Sequence, residues 1–229
     1  MTPHFPYTLI DLTHSLSPEI PTWDGSCGFD HQCCYDYEPA AEYQFRLHKI
    51  AMNEGIGTHM DSPAHCFANG MTIDQLPLAG LISPCIVIDI STVAHERTKV
   101  SVQDIENFEK EHGTIPHGSF AMIKTGWERF WATPEKYHNN HLFPSVSREA
   151  AAFLLDRGIT GLGIDTLSAD HGDEGFPVHK LVLGTGKYLV ENAANLDALS
   201  PRDDFIMIVP MKIKNGTEAP IRLIGLRKK

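Results

Sequence analysis

Short, continuous runs of apolar residues recur along the chain, bounded by glycine and proline. Such runs between turn residues are typical of β-strands, and the lack of a polar alternation indicates that several strands are buried on both faces. The pattern predicts strands at Tyr7–Leu12, Cys85–Ile90, Phe120–Lys124, Gly161–Ile164 and Phe205–Val209.

Two segments have the periodicity and the end signals of helices. Ser101 and Asp104 form a capping box in front of an apolar stripe, and Gly113 ends the helix that follows. Ser147 is placed to cap a second helix over Arg148–Arg157. These two helices separate strands in the middle third of the chain.

The last part of the chain has the pattern of a hairpin. Phe205–Ile213 and Ile221–Leu226 flank the turn dipeptide Asn215-Gly216. Because strands outnumber helices, the chain is predicted to be a mixed α/β protein, with a mixed sheet and a few helices. Its 229 residues predict a single domain, 1–229.

Composition and charge narrow the class of partner. Hydrophobic residues make up 42% and charged residues 21%, which is typical of a globular protein. The net charge of −10 repels phosphate backbones and anionic membranes, which argues against nucleic acid or a membrane as the main partner. No secretion signal is visible and the cysteine count of 5 is odd, so we expect reduced thiols in a cytoplasmic protein.

One cluster of potential metal ligands lies early in the chain, at Cys27, His31, Cys33 and Cys34. Its spacing fits no standard zinc knuckle, and adjacent cysteines rarely ligate one ion together. It is therefore a weak candidate.

The densest polar chemistry lies in the segment from Gly55 to His65. Pro63 disfavours a helix here, so we expect an extended segment in which His59, Asp61 and His65 face the same side. On a strand, the Cα atoms of residues two positions apart are about 7 Å from each other. At this distance both side chains can reach one ion. Imidazole and carboxylate together are ligands for Zn²⁺ and Mn²⁺. The alternative is a solvated polar strand end.

A second half-site is possible at His179 and Glu191. Two glycines, Gly184 and Gly186, permit a chain reversal between them, so the two side chains can converge. Taken singly, each residue is equally consistent with a capping or surface role.

The segment from Gly57 to His65 resembles the H-x-G-T-H-x-D-x-P-x-H motif of the cyclase family of metal-dependent hydrolases. The resemblance extends over most of the chain. Further blocks that look like those of the family are Asp11–Leu16, Pro21–Gly25, Gly163–Ser168, Pro210 and Ala219–Arg222.

This resemblance implies a swivelling β/β/α-type fold, commonly a homodimer or larger homo-oligomer, with a divalent metal ion, Zn or Mn. The matching metal ligands are His59, Asp61, His179 and Glu191. His65 matches the general acid/base, and Trp23 matches a residue near the substrate. The implied activity is arylformamidase-like: hydrolysis of the C–N bond of a small, aromatic amide, either an aryl formamide or a cyclic amide.

The chain departs from the family motif at its first histidine, where Gly55 stands. Glycine cannot bind a metal ion, which favours one ion over two. Glu54 and His48 are nearby, but on a strand Glu54 is expected to point away from His59. Two further readings stay open: a non-catalytic, ligand-binding relative with an incomplete metal site, and a thiol enzyme that uses Cys66.

Overall fold

The computed structural model describes residues 5–25 and 28–229 and has a mixed α/β fold. The strands are β1 (Tyr7–Asp11), β2 (Phe29–Tyr35), β3 (Leu47–Met52), β4 (His59–Asp61), β5 (Ile82–Asp89), β6 (Lys99–Val100), β7 (Phe120–Lys124), β8 (Ser145–Val146), β9 (Gly161–Ile164), β10 (Tyr188–Glu191), β11 (Phe205–Pro210) and β12 (Glu218–Lys228). The helices are α1 (Val102–His112), α2 (Pro134–His138), α3 (Arg148–Asp156) and α4 (Pro177–Gly184), joined by several short 3₁₀ turns.

The main sheet closes on itself. Its strand order is β1-β12-β11-β5-β7-β9-β10-β4, and β12 also pairs with β4. Strands β5, β7, β9 and β10 run parallel to one another, whereas β4, β11 and β12 join them in antiparallel pairs. The closure turns the sheet into a barrel-like core, with β1 added outside β12. The predicted mixed sheet with a few helices is confirmed.

The parallel strands are buried on both faces, as their unbroken apolar runs predict. On β7, Ala121 and Ile123 pack against the helical layer, while Phe120 and Met122 fill the interior of the barrel. Side chains of β5 divide between the two layers in the same manner, whereas β9 packs Leu162 and Ile164 against the helical layer and has glycines at the alternate positions. Burial on two sides leaves these strands as a rigid frame.

The predicted helices form with the predicted caps. Ser101 and Asp104 make the reciprocal capping box of α1, and Gly113 is its C-terminal cap. Ser147 accepts a hydrogen bond from the backbone of Ala150 at the start of α3. Helix α4 was not predicted, although a proline at its first position, Pro177, is typical of a helix start.

The predicted closing hairpin is confirmed with shifted bounds. β11 and β12 pair antiparallel from Phe205↔Leu226 to Pro210↔Ile221. β12 begins three residues earlier than expected, at Glu218, because 218–220 pair with β4.

Candidate metal centre

Strand β4 carries the centre of the site and is held between two other strands. In the antiparallel registers, Glu191 of β10 lies opposite His59, and Glu218 of β12 lies opposite Asp61. Residues directly opposite each other in such a ladder project from the same face. Met60, between the two, points the other way into the barrel interior. His59 and Asp61 therefore face one side, as the alternation of a strand predicts.

The expectation of an extended chain as far as His65 is wrong. Ser62 is extended, but Pro63–His65 forms a 3₁₀ turn with proline at its first position. Proline is tolerated there because the first N–H of a helical turn has no partner within the turn. This turn, rather than strand alternation, brings His65 to the cavity, where its ring centroid is 6.0 Å from that of His179.

The four predicted ligand residues come together in the lining of one cavity of about 430 Å³. Nε2 of His59 lies 3.5 Å from Asp61 Oδ1 and 3.6 Å from Glu191 Oε2. Nε2 of His179 lies 3.4 Å from Asp61 Oδ2 and 3.4 Å from Glu191 Oε1. His179, on α4, and Glu191, at the end of β10, thus converge around the Gly184–Gly186 turn.

Both histidines direct Nε2 to this point. Nδ1 of His59 donates to the carbonyl of Gly57 at 2.9 Å, and Nδ1 of His179 donates to Asp170 at 2.8 Å. Because these partners only accept hydrogen bonds, Nδ1 of each ring carries a proton, and Nε2 is the nitrogen left to bind a metal ion. A histidine fixed in this way by a carbonyl or carboxylate is the usual arrangement of a metal ligand.

Burial without a hydrogen-bond partner marks the carboxylate of Asp61. Neither oxygen of Asp61 has a hydrogen-bond partner, although both are buried. Burial, together with the negative charge of Asp61, raises the pKa of Glu191 to about 7. The described residues that line the cavity include no lysine or arginine to balance its five carboxylates. Two buried carboxylates side by side cost free energy that a divalent ion can offset.

The donor set fits a divalent metal ion. Each histidine Nε2 lies 3.4–3.6 Å from the carboxylate oxygens that it faces. Ligands held at about 2.0–2.2 Å by a tetrahedral ion are about 3.3–3.6 Å apart, which is a similar spacing. Two groups of three can each hold an ion, Asp61–His179–Glu191 and His59–Asp61–Glu218. The two groups share Asp61.

Trp23 lies on the wall of the same cavity. Its indole stacks on His141 with 4.1 Å between ring centroids and meets Phe176 at 5.6 Å. The ring of Phe176 in turn lies edge-on to His179. Phe176 has a left-handed backbone, with φ of +58°, an arrangement that costs free energy in a non-glycine residue and is concentrated at functional sites.

Asp170, Phe176 and Glu218 were not singled out from the sequence. Asp170 accepts hydrogen bonds from both the backbone N–H and the ring Nδ1 of His179, and so fixes the orientation of this ligand. Glu218 Oε2 lies 3.2 Å from Nδ1 of His65, and this hydrogen bond raises the pKa of His65. No local spacing marks either carboxylate, because each reaches the site through a tertiary contact.

The other candidates lie elsewhere or act differently. Glu54 is not on a strand: it lines the cavity, and its carboxylate accepts a hydrogen bond from the backbone of Thr217 at 2.9 Å, which corrects the expected direction. His48 is exposed on β3, outside the cavity lining. Cys33 and Cys34 are exposed on β2, and among the described residues they join no group of potential ligands. Cys27 lies outside the described residues.

The closed mixed sheet and the cluster of imidazole and carboxylate donors at its strand ends define a metal-dependent hydrolase. A family model described as putative cyclase matches residues 10–171. The chain belongs to this cyclase family.

Relatives of known name support the assignment along nearly the whole chain. An isatin hydrolase of Roseibium aggregatum is 29% identical over 80% of this chain and 75% of its own length. A kynurenine formamidase of Bacillus cytotoxicus is 24% identical over 94% of this chain and 95% of its own length. The solved structure of isatin hydrolase A from Labrenzia aggregata, bound to benzyl benzoate, superimposes with a TM-score of 0.87 and 30% identity, covering 98% of this chain and 95% of that one.

No helix in the described part of the chain combines the length and the apolar character that crossing a bilayer requires.

Proposed function

We propose that this chain hydrolyses the C–N bond of an aryl formamide or a cyclic amide. The broader class, a metal-dependent amide hydrolase, follows from its family and from its likeness to isatin hydrolases and kynurenine formamidases. The observation that carries the proposal is the convergence of two histidines on two buried carboxylates, with both oxygens of Asp61 unpartnered.

His59, Asp61, His179 and Glu191 are the residues that hold the divalent ion in this proposal. Their mixture of imidazole and carboxylate donors suits Zn²⁺ and Mn²⁺. When bound, such an ion supplies Lewis-acid polarisation of a carbonyl and makes water a stronger acid. The hydrogen bonds to Gly57 and Asp170 keep both Nε2 atoms directed at the ion.

His65 is the proposed general acid/base. Its Nδ1 faces the carboxylate of Glu218, so Nδ1 carries the proton and Nε2 is free to accept another. In amide hydrolysis, Nε2 takes the proton of the attacking water and returns it to the nitrogen that leaves. This restores His65 to its starting state and releases an amine and a carboxylic acid, joined in one product when the amide is cyclic.

Trp23 and Phe176 are the proposed wall for a planar substrate. The two rings meet at the cavity, next to His179. A planar aromatic ring can pack against them in offset or edge-on geometry, which contributes about 0.5–1.5 kcal/mol per pair beyond the apolar area buried.

Metal analysis and an amide assay on the same preparations test the proposal. We expect bound Zn or Mn in the wild type, and less metal together with no hydrolysis of isatin or of an N-formyl aryl amine in His59→Ala and Asp61→Ala. Asp156→Asn, an exposed carboxylate on α3, is the matched control and should change neither. Bound metal without turnover of any amide would favour the non-catalytic, ligand-binding relative, and no bound metal would contradict the proposal.

We also propose that the chain forms a homodimer or larger homo-oligomer through the β2–β3 hairpin. The exposed apolar side chains of this hairpin and its connecting loop support the proposal: they are Tyr35, Tyr37, Tyr43, Phe45, Leu47 and Ile50. A surface of this kind is typical of a contact between subunits. Light scattering should give at least twice the monomer mass, and Phe45→Asp together with Leu47→Asp should reduce that mass to the monomer.

A further inference from the structure

Gly55 and Glu218 are neighbours in space. The carboxylate of Glu218 occupies the place that a side chain at residue 55 would take. A Cβ built on Gly55 overlaps Oε1 of Glu218 and lies 2.8 Å from its Cδ. The motif position at which the family has a histidine is therefore not an empty space in this chain. It contains a carboxylate that arrives from β12, at the far end of the sequence.

The backbone around Glu218 directs this carboxylate at the metal centre. Glu218 lies opposite Asp61 in the β12–β4 ladder, so both side chains project from the same face. Glu54 accepts the backbone N–H of Thr217 at 2.9 Å and so anchors the start of β12. His59, Asp61 and Glu218 each offer a donor atom within 4.8 Å of the other two.

The two oxygens of Asp61 serve different sides of the centre. Oδ1 faces His59 at 3.5 Å, and Oδ2 faces His179 at 3.4 Å. Both oxygens are buried without a hydrogen-bond partner. Oxygens that face two different histidines suit a carboxylate shared between two ions, which would satisfy both oxygens.

The charge of the cluster points the same way. Asp61, Glu191 and Glu218 bring three carboxylates to the centre, a negative charge that two divalent ions accommodate. The cavity lining offers no lysine or arginine within the described chain.

From these contacts we propose that Glu218 is a metal ligand that replaces the side chain missing at residue 55. With His59 and Oδ1 of Asp61 it holds a second divalent ion, beside an ion held by Oδ2 of Asp61, His179 and Glu191. This inference rests on the proposed function and divides its ligands between two ions. Oε2 of Glu218 keeps its contact with His65, so the carboxylate links the second ion to the acid/base.

Counting the ions in matched variants tests this assignment. Proteins are stripped with a chelator, titrated with Mn²⁺ by calorimetry, and examined by electron paramagnetic resonance. We expect two ions in the wild type, with the spectrum of a coupled pair, because two-metal sites are about 3.5–4 Å apart. Glu218→Gln and Glu218→Ala should bind one ion, with the spectrum of isolated Mn²⁺. Asp24→Asn, a carboxylate on the cavity wall outside the donor group, should keep two.

A double variant that exchanges the roles of residues 55 and 218 is the decisive test. Gly55→His combined with Glu218→Gly moves the donor from β12 back to residue 55, and we expect it to restore the second ion and the coupled spectrum. This recovery also excludes a folding defect as the cause of the loss.

The outcomes separate the two proposals. One ion in the wild type, or two ions in both the wild type and Glu218→Ala, would overturn the role of Glu218 and leave the metal hydrolase intact. A Glu218→Gln variant that loses activity but keeps both ions would reduce Glu218 to a positioning residue for His65, which also overturns the inference. No ion in any protein would remove the proposed function itself.

Discussion

Asp170 holds His179 by two hydrogen bonds, from the backbone N–H at 2.9 Å and from ring Nδ1 at 2.8 Å. The carboxylate thus fixes the start of α4 and places a proton on Nδ1 of the His179 ring. Both oxygens of Asp170 accept hydrogen bonds. In Asp170→Asn, one of these oxygens becomes an NH₂ group, which cannot accept. We expect metal affinity to fall about 10–100-fold, the usual range for such supporting carboxylates.

Competition with a coloured chelator measures this loss. Asp156→Asn, which is exposed on α3, is the control and should bind metal with wild-type affinity. Unchanged affinity in Asp170→Asn would mean that the helix alone orients His179.

Replacing His65 should separate catalysis from metal binding. His65 is the proposed acid/base and not a ligand, so His65→Gln is expected to lower kcat by about 10²–10⁴. Its metal content should stay that of the wild type, with His95→Gln as the control on an exposed histidine. If metal is lost together with activity, His65 belongs to the ligand set.

Adding one methyl group at residue 55 should displace the carboxylate of Glu218 without removing any metal ligand from the sequence. In Gly55→Ala, the new Cβ takes the place of Glu218 Oε1, and the flexible end of Glu218 must turn away. We expect the second ion to be lost in calorimetry. The stability of the metal-free protein should change by less than about 1 kcal/mol, because only a side-chain terminus moves. Wild-type ion counts in this variant would contradict the geometry.

Cys66 should be dispensable. Burial raises the pKa of its thiol, so little thiolate is present at neutral pH and the group is a weak nucleophile. Cys66→Ala should keep kcat/KM within about twofold of the wild type, and the activity that remains should resist iodoacetamide. A loss of several hundredfold would revive the thiol mechanism.

His14 should make the protein less stable in acid. Its ring stacks on Trp131 with 3.9 Å between centroids, and its buried Nε2 has no partner. Burial lowers the pKa of His14 to about 4. Between this value and the unfolded value near 6.5, the unfolded chain binds more protons, so the stability that the neutral ring contributes is lost as pH falls through this window.

His14→Phe keeps the stacking and removes the titration. Urea unfolding of both proteins at pH 7 and pH 5 should show the variant gaining about 1 kcal/mol on the wild type, after allowance for the partial exposure of the ring. The difference between the two proteins cancels the groups that they share. A pH-independent difference would show that the ring is free to protonate in the folded state.

His59 and Asp61 show how far the sequence could define this site. They are two residues apart on a short strand, so alternation alone puts them on one face. The strands of the core were predictable for the same local reason, since burial on both sides leaves an unbroken apolar run. His179 and Glu191 required the family resemblance, because the turn that joins them allows convergence without requiring it.

Glu218 and Asp170 show where sequence reasoning stops. Glu218 reaches the site because 218–220 extend β12 beyond the predicted strand and pair with β4, a tertiary contact that no nearby residue signals. The error at Pro63 has the opposite origin: a local rule against helix was applied at the one helical position where proline is accepted. Whether 1–229 forms one domain stays a prediction.

The closure of the sheet at β4 has a consequence for folding. This three-residue strand joins β10 to β12, and the donor atoms sit on those three strands and on α4. With Glu218 among its ligands, as proposed, a bound ion would join segments from the first third and the last tenth of the chain. Because the unfolded chain cannot present these groups together, metal binding adds directly to the free energy of unfolding. After chelation, the pairing of β4 with β12 should therefore open before the parallel strands do. Amide hydrogen exchange should then increase first at 59–61 and 218–220.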